Sequence, residues 1–460
     1  MFFKPQHVHF VGIGGIGMSG IAEVLLTLGY QVSGSDVKLS PITARLAQHG
    51  ATIYTGHRAG NVAGAKAVVV TSALDPTNPE VAEARRLQIP VIPRGELLAE
   101  LMRLKFGIAI AGSHGKTTTT SMAASILNTA GLDPTVVVGG RVAGMQDSNA
   151  RVGKSTILVV ESDESDGSFL KLAPIVAVVT NIDREHLDHY ASIEDIRAAF
   201  TEFVNRVPFY GAAVLCMEDA NIQQIFPNIN RRTITYGRSP QVDLEIQNVV
   251  LAPAYSDFSI RRHDQDLGSF HLNVPGVHNV LNAAAAIGVG LEMDVTVSQI
   301  REGLAAFSGV DRRFSVRGVV RGITVVDDYG HHPTEVKATL AAARLSPYRR
   351  VHVLFQPHRF SRTKFLTEEF GTAFHQADSL FLLDIYAASE ASIEGVSAQA
   401  LIEKIRSHGH RSAHYVPNME AGIAAIAAVA EPGDLIITLG AGSVSQAAGK
   451  ILDKLREAAA

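Results

Sequence analysis

The chain has 460 residues and a formal net charge of −4, from 41 basic and 45 acidic side chains, and 46% of its residues are hydrophobic. This length favours two to four domains with several apolar cores. The mixed charges give no reason to expect nucleic acid or a stable membrane association. The single cysteine, Cys216, excludes an internal disulfide. Because no secretion signal or membrane span is visible, we expect a cytoplasmic protein, either monomer or dimer.

Short apolar runs alternate with helical patterns along the chain, which is typical of parallel sheets covered by helices. Three predicted strands run directly into glycine-rich segments that precede a helix, which predicts three α/β units. We name these segments the first glycine turn (residues 12–17), the central glycine loop (112–118) and the third glycine turn (440–443). Passages rich in Pro or Gly at 89–95 and 308–313 are the candidate divisions between the units.

The first glycine turn follows a strand predicted at 7–11 and reads Gly12-x-Gly14-x-x-Gly17, with Asp36 at the end of the next strand. This spacing is the dinucleotide fingerprint, in which amides at a helix start hold a diphosphate. NAD and a UDP-sugar fit it equally well, and so does a tight turn that only packs a helix on a strand. The turn alone therefore leaves its ligand open.

The central glycine loop follows a strand predicted at 106–110 and contains the Gly-Lys-Thr sequence of nucleotide-binding loops. Its amides would point at phosphate oxygens, Lys116 would neutralise the terminal phosphates of ATP, and the Thr117 hydroxyl would join the shell of Mg²⁺ (or Mn²⁺). The usual first glycine of the motif would fall at Ile110, so the loop departs from the ordinary P-loop spacing. We predict that ATP binds here.

Acidic and histidine side chains follow the next two predicted strands, at 156–160 and 175–179. The carboxyl ends of parallel strands meet at one edge of a sheet, and a hard cation beside ATP needs oxygen ligands. Glu161, the first acid after its strand, is the best placed to coordinate the metal, and His186 is a second candidate. A solvated acidic turn and a structural histidine are the alternatives.

Two asparagines lie at the start of a later, Ala-rich helix. An amide side chain donates and accepts at once, as the edge of adenine requires, so Asn279 and Asn282 are candidates for base recognition. Helix capping by Asn279 is the alternative.

Ordered motifs join these units into one pattern. They lie at 12–20, 112–118, 161–166, 186, 278–282, 327–333 and 356–362. In these motifs the chain closely resembles, over essentially its whole length, the Mur ligases, the ATP-dependent amino-acid-adding enzymes of peptidoglycan precursor synthesis. Within that family it is similar to the branch that adds L-alanine to UDP-N-acetylmuramate. The resemblance implies an α/β architecture of three domains, namely a Rossmann-like UDP-binding domain (1–97), a central P-loop-type ATPase domain (98–312) and a Rossmann-like amino-acid-binding domain (313–460).

The resemblance also implies roles for individual residues. The sugar diphosphate would lie on the backbone of residues 17–19, within a UDP-sugar site of Gly14, Gly15, Gly17, Met18, Ser19, Asp36, Ser72 and Arg94. The ATP site would comprise Gly112, Ser113, His114, Gly115, Lys116, Thr117, Thr118, Asn279 and Asn282. The metal ligands would be Thr117, Glu161 and His186. The catalytic residues would be Lys116, Arg313, Asp328, His331 and His332. The L-alanine pocket would comprise Tyr329, His332, Arg359 and Arg362.

The implied reaction activates a carboxylate, because a free carboxylate does not react with an amine at neutral pH. The lactyl carboxylate would attack the γ-phosphate of ATP, and the amine of L-alanine would attack the resulting acyl phosphate. Lys116, Arg313 and Mg²⁺ would offset the repulsion between the two anions. His331 or His332 could take the proton of the amine. Since three domains bring the three substrates, we expect domain closure before the chemistry.

The sequence departs from the family pattern at two points. It has no lysine between 171 and 337, so the carbamylated lysine of several related ligases is excluded here, and a second metal or an acid such as Glu164 would supply that charge. At position 113 this chain has a serine where the family often has a threonine.

Three alternative functions remain. A ligase that recycles a whole tripeptide shares the fold and chemistry. An NAD-dependent oxidoreductase explains only the first glycine turn, and a P-loop switch leaves the two arginines of the alanine pocket unused.

Overall fold

The computed structural model describes residues 6–71, 75, 77–139, 150–187, 189–388 and 390–457. Within these ranges the chain forms three sheets that follow one another along the sequence. Most strand pairs are parallel, and helices provide the crossover connections between them. The predicted α/β class, with one mainly parallel sheet in each of three units, is confirmed.

The N-terminal sheet has the first glycine turn at its centre. Its strands are β1 (His7–Val11), β2 (Gln31–Asp36), β3 (Thr52–Thr55), β4 (Ala67–Val70) and β5 (Val91–Pro93). Its helices are α1 (Ile16–Thr27), α2 (Pro41–Gln48), α3 (Pro79–Arg86) and α4 (Arg94–Arg103), with a 3₁₀ turn at Ala59–Val62. The order β3-β2-β1-β4-β5, parallel throughout, places β1 in the middle. Ser40 and Asn78 cap α2 and α3 just before a proline, a combination that favours helix initiation.

The central sheet is the largest. Its strands are β6 (Phe106–Ala111), β7 (Thr135–Val137), β8 (Ala150–Arg151), β9 (Ile157–Glu161), β10 (Val176–Val179), β11 (Ala212–Cys216), β12 (Thr233–Gly237), β13 (Leu244–Leu251), β14 (Ser256–Arg262) and β15 (Gln265–Leu272). Its helices are α5 (Lys116–Thr129), α6 (Ile193–Asn205), α7 (Ala220–Ile225), α8 (Val277–Glu292) and α9 (Val297–Ala306), with 3₁₀ turns at Ser168–Lys171 and Phe226–Asn228. The order is β15-β14-β13-β12-β11-β10-β6-β9-β7-β8. The antiparallel ribbon β13–β15 at one edge was not predicted. Because β6 lies between β10 and β9, the central glycine loop and the acids after those strands share one edge.

The C-terminal sheet is parallel apart from one edge strand. Its strands are β16 (Ser315–Val320), β17 (Ile323–Asp328), β18 (Val351–Phe355), β19 (Ser379–Leu382), β20 (Ala413–Tyr415) and β21 (Leu435–Leu439). Its helices are α10 (Pro333–Ala343), α11 (Phe360–Phe365), α12 (Thr367–Gly371), α13 (Ala398–Ser407), α14 (Met419–Val429) and α15 (Ala447–Glu457), with a 3₁₀ turn at Ser443–Gln446. The order is β16-β17-β21-β18-β19-β20, with β16 antiparallel to β17.

The apolar cores group the three sheets unequally. One continuous core joins the first two sheets, and residues of α4 such as Leu97 and Met102 belong to it. In the described part of the chain, the buried clusters on the two faces of the C-terminal sheet contain only residues of the C-terminal domain, such as Phe374 and Ile436. The C-terminal domain therefore meets the rest mainly through polar contacts, which favours relative motion. None of the described helices combines the length and apolar character needed to cross a membrane.

Candidate active site

The central glycine loop has a backbone that only glycine allows at two positions. Gly112 has a φ of +128° and Gly115 a φ of +81°. A Cβ atom at Gly112 would overlap with the Thr180 side chain, and one at Gly115 would lie 2.5 Å from Asn282 Oδ1. Both the left-handed conformation and the close approach of neighbours therefore exclude a side chain.

The segment after β10 supports this loop. The amide of His114 donates to Asn181 Oδ1 at 2.8 Å, and its carbonyl accepts hydrogen bonds from Asn181 Nδ2 at 3.0 Å and Thr180 Oγ1 at 2.6 Å. Ser113 donates its amide to the Asn181 carbonyl at 3.1 Å. These bonds fix the loop before any ligand binds, which is the preorganisation that an anion site at a helix start requires.

Lys116 is the first residue of α5, and its ammonium group is fully engaged. Nζ donates to the carbonyls of Gly112 and Ser113 at 2.6 and 3.2 Å, and to both oxygens of Glu164 at 2.8 and 2.9 Å. Burial disfavours the charged amine, but the carboxylates of Glu164 and Asp163 outweigh that effect and raise the pKa of Lys116 above its ordinary value. Lys116 is therefore a fixed positive charge at the loop.

Thr117 and Glu161 form an oxygen-rich pair beside this lysine. The Thr117 hydroxyl donates to both carboxylate oxygens of Glu161 at 2.9 Å, and the amide of Gly139 donates to Glu161 Oε2 at 2.6 Å. A hydroxyl and a carboxylate at the carboxyl edge of a parallel sheet suit a hard divalent cation. These residues thus fit Mg²⁺.

His186 lies next to a second acidic group. Its Nε2 is 3.5 Å from Glu164 Oε1 and 3.9 Å from Glu185 Oε2, and possible ligand atoms of these three residues all lie within 4.8 Å of one another. Hydrogen bonding to Glu164 and the charges of both acids raise the pKa of His186 against the effect of burial. His186 also has a φ of +55°, a strained conformation that is typical of functional sites.

The first glycine turn presents only part of the predicted amide cradle. The amides of Met18 and Ser19 donate to the Gly15 carbonyl at 3.0 and 2.9 Å, within the first turn of α1. A Cβ atom at Gly17 would overlap with the Arg94 guanidinium, so this cation lies against the helix start. The positive end of α1 and Arg94 together suit an anion at this helix start.

Two further residues of the predicted UDP-sugar site are Asp36 and Ser72. Asp36 Oδ2 accepts the amide of Gly14 at 2.9 Å, so this carboxylate holds the turn itself. Ser72 lies outside the described residues. Arg94 also pairs with Asp163 at 3.4 Å, which links the first glycine turn to the acidic segment of the central domain.

The two predicted alanine-pocket arginines lie at the start of α11. Arg362 donates to Glu185 Oε1 at 2.7 Å across the domain boundary and is 10% exposed. Arg359 has a φ of +71° and pairs loosely with Glu390 at 3.9 Å. Arg359, whose backbone is strained, and Arg362 line one cleft. Two guanidinium groups in the same cleft suit a carboxylate ligand.

The two candidate bases have different surroundings. His331 Nδ1 lies 3.0 Å from the Tyr329 carbonyl, and His331 Nε2 lies 3.7 Å from Glu185 Oε1. His332 is buried, and its Nδ1 accepts the amide of Thr334 as the cap of α10. Burial and the charge of His114 lower the pKa of His332 to about 4. His331 lines the cleft with the arginines, whereas His332 supports the helix behind it.

Asp328 and Arg313 lie where the central and C-terminal domains meet. Asp328 accepts the amides of Phe314 and Gly330, both at 2.7 Å, and burial raises the pKa of its carboxyl. The Arg313 guanidinium lies 5.3 Å from the centre of the Tyr329 ring, a cation–π contact. Asp328 therefore fixes the two backbone segments that carry Arg313 and Tyr329.

Two cavities collect the predicted residues. A cavity of about 760 Å³ is lined by His114, Gly115, Thr118, His278, Asn279, Asn282, Arg313 and Asp328. A cleft of about 590 Å³, which we call the central cleft, is lined by Gly17, Arg94, Lys116, Thr117, Glu161, His186, Arg313, Tyr329, His331, Arg359 and Arg362. In the first cavity, Asn279 Nδ2 donates to the Pro275 carbonyl at 2.7 Å, and Gly276 rather than Asn279 is the N-cap of α8. All three domains thus contribute to the central cleft.

Five residues that hold this site together were not predicted from the sequence. They are Thr180, Asn181, Asp183, Glu185 and Glu335. The first four follow β10 at the sheet edge that carries Lys116, so the rule that ligands gather at carboxyl ends of strands could have found them. Glu335 is the third residue of α10, and the capping-box spacing from His332 was its signal.

Comparison with known proteins matches the whole chain to one family. Residues 7–106 match the model of the Mur ligase family, catalytic domain, residues 110–290 the Mur ligase middle domain, and residues 312–442 the Mur ligase, glutamate ligase domain. A UDP-N-acetylmuramate--L-alanine ligase of Solibacter usitatus is 67% identical over 99% of this chain and 97% of its own length. Its namesake from Acidobacterium capsulatum is 56% identical over 99% of both chains. The chain belongs to the Mur ligase family.

Solved structures agree with this membership. The UDP-N-acetylmuramate-alanine ligase of Thermotoga maritima matches with a TM-score of 0.82 at 27% identity, over 98% of this chain and 100% of its own. A murein peptide ligase of Psychrobacter arcticus has a TM-score of 0.71 at 24% identity, over 98% of both chains, and shares the fold.

Proposed function

We propose that this protein joins L-alanine to the lactyl carboxylate of UDP-N-acetylmuramate, with conversion of ATP to ADP and phosphate, in peptidoglycan precursor synthesis. Relatives that are 67% and 56% identical over nearly the whole chain are named for this activity. All the substrates are soluble and polar, and we place the reaction in the cytoplasm. The observation that carries the proposal is the central cleft, to which the first glycine turn, the central glycine loop and the Arg359–Arg362 pair all contribute.

The first step brings together two anions, the lactyl carboxylate and the γ-phosphate of ATP. Lys116 at the central glycine loop and Arg313 at the domain boundary both line the cleft and supply the positive charge. Their charges are fixed before the reaction, which is the condition under which electrostatic stabilisation is most effective. The carboxylate oxygen forms a bond to phosphorus, ADP leaves, and an acyl phosphate results.

Mg²⁺ fits the pair of Thr117 and Glu161, whose hydroxyl and carboxylate oxygens lie 2.9 Å apart. When bound, it would neutralise charge on the ATP phosphates. The cluster of Glu164, Glu185 and His186 offers further ligand atoms beside it. Glu164 also supplies a buried negative charge next to Lys116 in a chain that lacks the family's carbamylated lysine.

The second step needs a deprotonated amine. We assign proton acceptance to His331, because its Nδ1 is held by the Tyr329 carbonyl and the side chain lines the central cleft, with Nε2 3.7 Å from Glu185. Arg359 and Arg362 hold the carboxylate of L-alanine so that its amine meets the acyl carbon. The tetrahedral intermediate then collapses to the amide and inorganic phosphate.

Phosphate release tests this proposal directly. The purified protein is mixed with ATP, Mg²⁺ and UDP-N-acetylmuramate, and L-alanine, glycine, L-serine or the recycled tripeptide is added in separate reactions. We expect turnover with L-alanine to exceed that with the other acceptors. Turnover with the tripeptide alone would instead identify the recycling ligase, whose fold is the same.

A further inference from the structure

His114 connects the central glycine loop to the C-terminal domain. Its Nε2 lies 3.0 Å from Asp183 Oδ2, and its Nδ1 lies 3.5 Å from Glu335 Oε1. Asp183 follows β10 in the central domain, whereas Glu335 belongs to α10 of the C-terminal domain. The imidazole therefore lies between two carboxylates that come from different domains.

The charge of this imidazole is set by its neighbours. Burial disfavours the cation, but the hydrogen bond to Asp183 and the charge of nearby Glu335 outweigh burial and raise the pKa of His114 to about 10. The ring of His332 lies 4.7 Å from that of His114 and stays neutral, so the two imidazoles do not repel each other. Possible ligand atoms of His114, Asp183 and His332 lie within 4.8 Å of one another, but a metal ligand must give up the proton that His114 retains.

Each carboxylate continues the connection into α10. Asp183 Oδ2 also accepts the Thr334 hydroxyl at 2.6 Å. Glu335 Oε2 accepts the amides of His331 and His332 at 3.0 and 3.3 Å, and Glu335 Oε1 lies 3.3 Å from Arg313 Nη1. A displacement of the central glycine loop would therefore move His331 and Arg313, to which we assign roles in the reaction.

We propose that His114 is a positioning residue, which as a cation between Asp183 and Glu335 holds the start of α10 against the central glycine loop and so places His331 and Arg313 over the cleft. The two domains share no apolar core among the described residues, so these polar contacts must supply much of the preference for the closed arrangement. A ligand that contacts both the central glycine loop and the C-terminal domain then favours closure. The inference rests on the proposed function for its kinetic readout only.

The first test uses His114→Gln, which removes the charge but keeps a polar side chain. We expect kcat to fall and KM for L-alanine to rise, each by about 5- to 100-fold, the usual range of coupling between sites. The dissociation constant for UDP-N-acetylmuramate should not change, because Gly17 and Arg94 belong to the N-terminal domain, whereas His114 joins the other two domains. A rise in KM for ATP alone, with kcat and KM for L-alanine unchanged, would reduce His114 to a local part of the loop and overturn the proposal.

The second test uses two substitutions of Thr334, neither of which changes the central glycine loop. Its side chain is exposed, so folding should tolerate Thr334→Val, which loses the hydroxyl donated to Asp183. We expect a smaller change in the same direction, a fall in kcat of about 2- to 10-fold, and recovery in Thr334→Ser. Because both contacts act through Asp183, the His114→Gln/Thr334→Val double variant should lose less than the product of the single losses. If the loss of kcat in the double variant equals the product of the single losses, the two contacts do not both act through Asp183, and the proposal is contradicted.

Small-angle scattering provides the readout that does not depend on turnover. The full chain is measured with a non-hydrolysable ATP analogue, Mg²⁺ and UDP-N-acetylmuramate, which reports closure whatever amino acid the enzyme uses. We expect the radius of gyration of the wild type to decrease on adding ligands, and His114→Gln to stay closer to its ligand-free value. Full compaction of His114→Gln would overturn the proposal even if its activity were low, whereas a wild type that compacts but transfers nothing to L-alanine would count against the proposed function instead.

Discussion

The central glycine loop and the third glycine turn look alike in sequence and differ in what occupies the helix start. Both follow a buried parallel strand, β6 or β21, and both lead into a helix. In the third turn the side chain of Gln356 fills the space, because its Oε1 accepts the amide of Val444 at 3.0 Å and the hydroxyl of Ser443 at 3.2 Å. In the central loop Asn181 Oδ1 accepts the amide of His114, and Lys116 lines the central cleft.

This difference shows that a glycine-rich turn at the carboxyl end of a strand is only a potential anion site. The helix start has unsatisfied amides in both cases, and either a ligand or a protein side chain can satisfy them. Gln356 comes from the end of the adjacent strand β18, more than eighty residues earlier in the chain. Only the three-dimensional structure reveals that partner.

The largest effect is expected for Lys116→Ala, which tests whether the central glycine loop differs from the third glycine turn in supporting catalysis. If Lys116 supplies the positive charge for phosphoryl transfer, kcat should fall by about 10²- to 10³-fold or more, while the affinity for UDP-N-acetylmuramate stays near that of the wild type. Phosphate release and calorimetric titration of the sugar nucleotide measure the two quantities. Lys450→Ala is the matched control, because Lys450 is an exposed lysine in the first turn of α15 after the third glycine turn. Equal losses in both variants would remove the distinction.

The glycines themselves provide the next test. Ala at Gly115 would have both a left-handed backbone and a Cβ atom 2.5 Å from Asn282 Oδ1, so Gly115→Ala should lower kcat/KM for ATP by about 10- to 100-fold. Ala at Gly442 would meet Gln356 Oε1 at 2.7 Å and the Tyr386 ring at 2.8 Å. Gly442→Ala should therefore lower the melting temperature with no change in KM for ATP. Kinetics and thermal denaturation of both variants check this, and a nucleotide effect from Gly442→Ala contradicts it.

The sequence predicted the parts of the site that local pattern controls. The strand at His7–Val11, the loop before α5 and the acid Glu161 all lie where the alternation of strands and helices put them. Sequence could not predict that Asp36 holds the turn, because its carboxylate meets the amide of Gly14 only in the folded sheet. Which acceptor satisfies a backbone amide is a tertiary property wherever the two groups are distant in the chain.

Gln356→Met tests the side chain that closes the third turn. Methionine has a similar length and no carbonyl oxygen, so the amide of Val444 and the hydroxyl of Ser443 lose their acceptor without a large cavity. We expect the free energy of unfolding of the C-terminal domain to fall by about 1–3 kcal/mol, with kcat unchanged. Denaturation followed by circular dichroism measures this, and Gln376→Met, at an exposed glutamine, serves as the control. If the stability stays unchanged, Gln356 does not satisfy the helix start.

The pH dependence of stability distinguishes the central glycine loop from the third glycine turn. The folded-state pKa of His114 is raised to about 10 from an ordinary 6.5, so its stabilising contribution is complete below pH 6.5 and is lost as the pH rises toward 10. The stability difference between wild type and His114→Gln should therefore shrink across that window, by at most about 1.4 kcal/mol per pH unit for one proton. The corresponding difference for Gln356→Met should stay constant, because a glutamine does not titrate. Melting curves of the three proteins between pH 6 and 10 give both differences, and a constant difference for His114→Gln would mean that the imidazole is not the cation that joins the two domains.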